Sequence, residues 1–267
     1  MSDYQLGIIG GGNMAGAILR GLIGNWLLAP EAIVVSEPLA ARRQQLSRLQ
    51  IKLTDDNLTA ARCPRVLLAV KPQVLPEVLQ QIAPVVAPET LVISIAAGCA
   101  TALIDRLLAG RGRIARVMPN TPMLVGAGMS AIAAGPRATE EDLQWVERMF
   151  SVGGQTVRVG ESMMDAVTAV SGSGPAYFFY LVEAMTAAGV AEGLDEATAA
   201  RLARAACAGA GKLLAESVDS AGELRRRVTS PGGTTQAAIE AMESAGLREA
   251  LVKAVRAAAE RSRELGR

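Results

Sequence analysis

The chain has 267 residues, with 27 Lys and Arg against 26 Asp and Glu, a net charge of +1 and half its residues hydrophobic. That is ample chain for one or two domains with a sizeable core, and the dispersed, balanced charge argues against a nucleic-acid or anionic-membrane partner. No run reaches the ~20 uncharged apolar residues of a membrane span, and no basic leader precedes the first apolar segment, so a cytoplasmic protein is expected.

Residues 5–9 form a short apolar run of the kind that makes a buried parallel strand. Gly10-Gly11-Gly12-Asn13-Met14-Ala15 follows at once. An apolar-periodic stretch (Met14, Ile18, Leu22) then predicts a helix. A glycine turn between strand and helix is the setting of a dinucleotide fingerprint. Gly10 permits the tight turn, Gly12 lets backbone approach a pyrophosphate, and Ala15 allows helix to pack closely on strand. The N–H groups of the helix start, Asn13 and Met14 among them, then face the anion. A second strand, 33–36, runs into Glu37, 22 residues beyond Ala15. An acid at that distance commonly bonds the ribose 2′-hydroxyl. Ser36 is the alternative, meeting a 2′-phosphate with Arg42 or Arg43 supplying charge, so NADH and NADPH both stay open. Asn57 is a further candidate on the 2′-ribose side, or a plain N-cap.

Strands are expected next at 65–70, 91–95, 114–118, 128–132 and 156–159. Helical patterns lie between them, one after Lys71-Pro72 and one opened by Thr139 with Asp142 as its capping-box partner. This alternation predicts an α/β domain over residues 1–160, built on a parallel, doubly wound sheet. From 161 to 267 strand signals stop, and the chain is Ala-rich and helical, with Asp195 an N-cap before Glu196. Stretches 184–190 and 202–214 are apolar on more than one face. Such helices need burial on all sides, which points to dimerisation, with a compact monomeric bundle as the alternative.

Three loops fall at carboxyl ends of predicted strands, where open α/β sheets bind ligands. They are Ala69-Val70-Lys71-Pro72, Ser94-Ile95-Ala96-Ala97-Gly98 and Met118-Pro119-Asn120-Thr121-Pro122. Prolines there also simply end strands. The small Ala97 and Gly98 would let a flat ring approach, and Lys71 reads as structural or cofactor-positioning rather than catalytic.

Histidine is absent, and Cys63, Cys99 and Cys207 are scattered. The thiols are expected to be reduced, and too few ligands exist for a zinc site, so no metal is expected. Without His, any proton must be handled by a hydroxyl, carboxylate, lysine, water or the substrate.

Two further motifs complete the pattern: Val170-Ser171-Gly172-Ser173-Gly174-Pro175-Ala176-Tyr177 and Ser230-Pro231-Gly232-Gly233-Thr234-Thr235. With the earlier loops, in this order and spacing, the chain resembles the pyrroline-5-carboxylate reductases over essentially its full length. The 230–235 segment is that family's signature. The resemblance implies a Rossmann-like N-terminal sheet followed by an all-α C-terminal dimerisation domain, and a homodimer whose assembly extends to rings of dimers in the family. It implies hydride transfer from NADPH or NADH to C5 of the cyclic imine pyrroline-5-carboxylate, giving proline. The active site would lie between the nicotinamide of one subunit and the C-terminal loop of its partner.

On this reading the cofactor contacts are Gly10, Gly12, Asn13, Met14, Ser36, Glu37, Asn57, Ala69, Val70, Lys71, Pro72, Ala97, Gly98 and Asn120. Substrate contacts fall to Met118, Ser173, Gly174, Ser230, Gly232, Gly233, Thr234 and Thr235. Thr235 matches the family position that places a hydroxyl on the ring nitrogen, donating to the imine or orienting a water. Backbone N–H groups of the helix opening after Gly233 suit the substrate carboxylate. The missing histidine is consistent with this chemistry: a protonated imine accepts hydride, and the product amine keeps the proton.

Three rivals are weighed against it. A β-hydroxyacid dehydrogenase needs a lysine early in its second domain, and residues 171–211 contain none. A related cyclic imine reductase would use the same loops with a different ring pocket. A non-catalytic nucleotide sensor would not need an intact 230–235 segment.

Overall fold

The computed structural model describes residues 4–266. Eight strands form one sheet: β1 (Leu6–Ile9), β2 (Ile33–Ser36), β3 (Lys52–Thr54), β4 (Arg65–Leu68), β5 (Leu91–Ser94), β6 (Arg113–Pro119), β7 (Gly128–Ala134) and β8 (Gly154–Arg158). Their order is β3-β2-β1-β4-β5-β6-β7-β8, with β1 to β6 parallel. Every residue of β1, β2 and β5 is buried. Parallel strands covered on both faces read as continuous apolar runs, which is why these segments were legible.

Helices cover the two faces. α1 (Asn13–Gly24) follows β1; α2 (Ala40–Leu46) and α3 (Asn57–Ala61) flank β3; α4 (Leu75–Ile82) and α5 (Thr101–Leu107) follow β4 and β5; α6 (Glu140–Ser151) joins β7 to β8. One core layer sets Leu6 and Ile8 against Ile18, Leu22 and Phe150; the other sets Ile9, Val66 and Leu68 against Leu79, Ile82 and Ile104. Each fully buried aliphatic side chain contributes about 1.5–3 kcal/mol of transfer free energy. The expected capping box is present: Asp142 N–H donates to Thr139 Oγ1 (3.2 Å) and Thr139 N–H to Asp142 Oδ2 (2.9 Å).

Two departures from expectation have simple causes. β7 runs antiparallel to β6. Only residues 120–127 separate them, and a parallel return needs a crossover of a dozen residues or more. β3 was missed because it is three residues long with a single aliphatic side chain, Leu53.

Chain order runs outward from β1 to β3, then returns to β4 beside β1. That reversal is the topological switch point, and it opens a crevice beyond the carboxyl ends of β1 and β4.

Residues up to Ser173, joined by those from Ala258, form one compact unit, and Gly174–Ala257 form another. The boundary therefore falls later than 160. α7 (Met164–Val167) belongs with the sheet because Met164 is buried against Ala131 and Ala133 of β7. The second unit contains α8 (Gly174–Ala191), α9 (Glu196–Glu216), α10 (Ala221–Arg227), α11 (Thr234–Ser244) and the first part of α12 (Leu247–Leu265). Asp195 caps α9, accepting from Thr198 N–H at 3.0 Å. That bond and the Thr198 side chain hold its carboxyl below the usual range. Phe178, Phe179 and Tyr180 of α8 and Leu202, Leu213 and Leu214 of α9 stand exposed. An apolar surface of this kind marks a protein interface.

Candidate active site

The first glycine turn is made by packing. Gly10 has φ +98°, and a Cβ there would sit 2.6 Å from the Ala69 carbonyl oxygen. Gly10 N–H donates to Ser36 O and Ala69 N–H to Ile9 O, both at 2.8 Å, so the ends of β1, β2 and β4 hold the turn together. α1 then starts at Asn13 with extended Gly12 as N-cap and no side chain capping it. Its first-turn N–H groups are offered to an anion. Space over Gly12 is open, the nearest atom to a Cβ being Arg42 Nη1 at 3.8 Å.

These residues front a cavity of about 750 Å³. Gly10, Gly12, Asn13 and Met14 form one side; Ala69, Val70 and Lys71, after β4, form another. Glu37, Met118 and Asn120 line it as well, as do Pro38, Leu39, Val74, Ile95, Thr121 and Gly172, which were not expected. All six sit within a few residues of an expected contact, so the strand ends were the right signal and the assignment too narrow. Open room over Gly12, an uncapped helix start and this volume fit a nicotinamide dinucleotide.

The 2′-ribose candidates separate. Glu37 is 3% exposed, accepting Gly11 N–H on Oε2 (2.8 Å) and Leu39 N–H on Oε1 (2.9 Å). Ser36 is fully buried and its hydroxyl donates to Asn57 Oδ1 (2.7 Å), while Asn57 Nδ2 donates to Gln81 Oε1 (2.7 Å). Neither Ser36 nor Asn57 lines the cavity. They tie β2 to α3, and Asp56, not Asn57, caps α3 through Leu58 and Thr59. Arg43 Nη1 donates to Glu37 O (2.7 Å) and Pro38 O (2.8 Å), so it is spent on the backbone.

At the far end of the cavity a π-helical turn, Thr168–Gly172, follows α7. Such turns concentrate at functional sites. Asn120 anchors it, Nδ2 donating to Ser171 O and Oγ at 3.3 Å while Oδ1 accepts Met129 N–H at 2.9 Å. Asn120 is thus committed to protein partners as well as facing the cavity. Gly172 is required beside Met118, whose Cε would be 2.5 Å from a Cβ there. Ser173 closes the turn, its N–H donating to Thr168 O (2.8 Å). Ser173, Pro72, Ala97 and Gly98 do not line the cavity. For Gly98 the reason is the end of α12: a Cβ would lie 3.0 Å from Leu265 Cβ and 3.1 Å from Ser262 O. Ser262 Oγ in turn donates to Asp165 Oδ1 at 2.6 Å.

The 230–235 segment belongs to the second unit and is open. Gly232 has φ +70° with nothing within 4 Å of a Cβ. Its N–H donates to Gln236 Oε1 (2.7 Å), and Gly233 N–H to Ser230 O (3.0 Å). Gly233 is the N-cap of α11, again without a side-chain cap. Thr234 is exposed and Thr235 half-buried on the first turn. Backbone N–H groups and two hydroxyls can here hold a small carboxylate and a ring nitrogen. Gly174 opens α8 in the same unit.

A smaller cavity, about 210 Å³, lies at the amino ends of β4 to β6. Its charges answer one another: Arg113 Nε is 3.1 Å from Asp142 Oδ2, and Arg65 stacks 4.7 Å over Trp145. It is structural. Burial pushes the Cys99 thiol up, against the opposing pull of Arg116. Among the described residues no group of three or more His, Cys, Asp or Glu is placed to hold a metal ion.

Comparison with known proteins agrees with both halves. A family model described as pyrroline-5-carboxylate reductase dimerisation matches residues 161–265, and one described as NADP oxidoreductase, coenzyme F420-dependent, matches 5–98. Pyrroline-5-carboxylate reductase of Synechocystis sp. is 47% identical, covering 99% of each chain. That of Methanosarcina acetivorans is 42% identical over the whole of both. Among solved structures, a pyrroline-5-carboxylate reductase from Coxiella burnetii superposes with a TM-score of 0.91 at 36% identity, covering all of both chains. The Plasmodium falciparum pyrroline carboxylate reductase with NADP bound gives 0.87 at 28%, also covering all of both chains.

Proposed function

The chain belongs to the pyrroline-5-carboxylate reductase family, and from that premise we propose which of its residues carry the reaction. The enzyme reduces 1-pyrroline-5-carboxylate to proline at the expense of NAD(P)H, the last step of proline biosynthesis. One observation carries the reading: 47% identity over 99% of the chain, with both glycine-rich segments intact.

NAD(P)H, when bound, supplies the hydride that C5 of the ring receives. The chain's own part in that step is positioning and electrostatics. Gly10, Gly12, Asn13 and Met14 hold the pyrophosphate against the start of α1. Ala69, Val70 and Lys71 wall the cofactor from the β4 side, and Asn120 fixes the π-turn so that Met118 and Gly172 meet the reacting end. In the second unit, Ser230, Gly232, Gly233 and Thr234 hold the substrate carboxylate on the N–H groups of α11. Ser173 and Gly174 contact the ring. The Thr235 hydroxyl sits on the ring nitrogen, donating to it or ordering a water that does.

Proton balance needs no histidine. A cyclic imine is basic enough to be protonated near neutral pH, and the secondary amine formed keeps that proton. No strong general base is required, so a hydroxyl suffices where an alcohol dehydrogenase would need a relay.

Residues 161–265 form the dimerisation domain, and a homodimer covers the exposed faces of α8 and α9. Further assembly into a ring of dimers is part of the same proposal, read by sedimentation. No helix among the described residues is long and apolar enough to cross a membrane. A cytoplasmic location belongs to the proposal, in keeping with three cysteines that form no disulfide.

The test is cofactor oxidation by the purified dimer with pyrroline-5-carboxylate, run with NADPH and with NADH, and proline quantified as product. Substrate-dependent oxidation with equimolar proline is expected. Folded dimer that oxidises neither cofactor would overturn the reading.

A further inference from the structure

The rim of the cofactor cavity carries an opposed pair of charges. Arg42 Nη1 lies 3.8 Å from Glu37 Oε2, with the Arg42 side chain 48% exposed and that of Glu37 only 3%. Both line the cavity, and Arg42 is the nearest atom to the open space over Gly12. The other groups at this end of β2 are spent elsewhere: the Ser36 hydroxyl on Asn57, and the Arg43 guanidinium on two backbone carbonyls. Lys71 follows β4, on the other side of β1 from this pair. Where β2 ends is where a Rossmann-type sheet meets the adenosine ribose.

Glu37 keeps accepting capacity despite its two backbone bonds, since a carboxylate offers about four lone-pair sites. It suits a ribose hydroxyl and repels a phosphate. Arg42 does the reverse, and its fork matches phosphate oxygens. Because the two charges sit close together and nearly cancel, neither cofactor is excluded.

Resting on the nucleotide reading above, we infer that Arg42 attracts the 2′-phosphate of NADPH while Glu37 accepts the 2′-hydroxyl of NADH. The pair thereby admits both cofactors, and each member sets their ratio in the opposite direction.

The test uses the dimer and two nucleotide fragments that differ only at the 2′ position, adenosine 2′,5′-bisphosphate and 5′-AMP, with affinities from calorimetry. Arg42→Ala should weaken the bisphosphate about tenfold and leave 5′-AMP within about twofold, while Arg42→Lys keeps much of the bisphosphate affinity as a point charge. Glu37→Gln should shift the ratio toward the bisphosphate. Glu37 also braces the glycine turn, so the Arg42 variants are the deciding ones. Equal weakening of both fragments by Arg42→Ala, or no change in either, would overturn the inference while leaving the nucleotide cradle standing. Wild-type dimer that binds neither fragment would remove the cradle itself, and this inference with it.

Discussion

The two glycine-rich segments solve the same problem, an anion held at a helix start, by different means. At Gly10 the positive φ is imposed by neighbours: three strand ends converge, and a side chain would strike the Ala69 carbonyl. At Gly232 the positive φ stands free, held by one bond from Gln236 and with open space around it. The first turn is a product of sheet packing and comes with its cavity. The second is a local backbone device that presents hydroxyls and N–H groups outward. Cofactor binding should therefore be coupled to the stability of the sheet, and substrate handling should not.

That contrast can be broken by substitution. Gly10→Ala should have the largest effect, about 1–3 kcal/mol of backbone strain plus the clash at Ala69. Thermal melting would show a lower Tm, and titration would show cofactor affinity lost. Gly232→Ala should cost at most about 1–2 kcal/mol for the left-handed backbone. The cost should appear as a raised KM for pyrroline-5-carboxylate with cofactor affinity unchanged; a matching loss of cofactor affinity would collapse the distinction.

Smaller effects sharpen it. Ser262→Ala removes the bond that holds the end of α12 to Asp165 behind Gly98, and should cost about 1–2 kcal/mol. Denaturant unfolding would register it, with the KM for substrate unmoved. Asp56→Ala uncaps α3 and should cost about 1 kcal/mol. The Thr59 hydroxyl, then the Leu58 N–H, hold the Asp56 carboxyl below its ordinary 3.8. A depressed carboxylate stabilises fully above its unfolded value and loses that contribution as pH falls through the lower folded one. The Tm gap between wild type and Asp56→Ala should thus be constant from neutral pH to about pH 4 and close below it; a gap that widened in acid would contradict the assignment.

Much of the first unit was legible because its signals are local. β1 and β2 are unbroken apolar runs, and the Thr139–Asp142 box lies within one helical turn. What escaped is tertiary. Nothing near Ser36 announces that Asn57, 21 residues on, takes its hydroxyl. Gly98 looked like room for a cofactor ring, and its neighbours are instead residues 262–266 at the other end of the chain. Strand direction is equally silent in periodicity, although the short 120–127 connection already limited β7 to an antiparallel return. In the second unit the motif was plain, but its residues face outward, so their roles rest on the family match and on chemistry.

The measurement that bears most directly on this division of labour is paired kinetics and binding on Thr235→Ala, with Thr235→Ser as the conservative control. Loss of one positioned hydroxyl should lower kcat about 10²-fold, with the cofactor dissociation constant and the Tm unchanged and the Ser variant largely restored. An unchanged kcat, or a fall in cofactor affinity that accounts for the lost rate, would contradict the account.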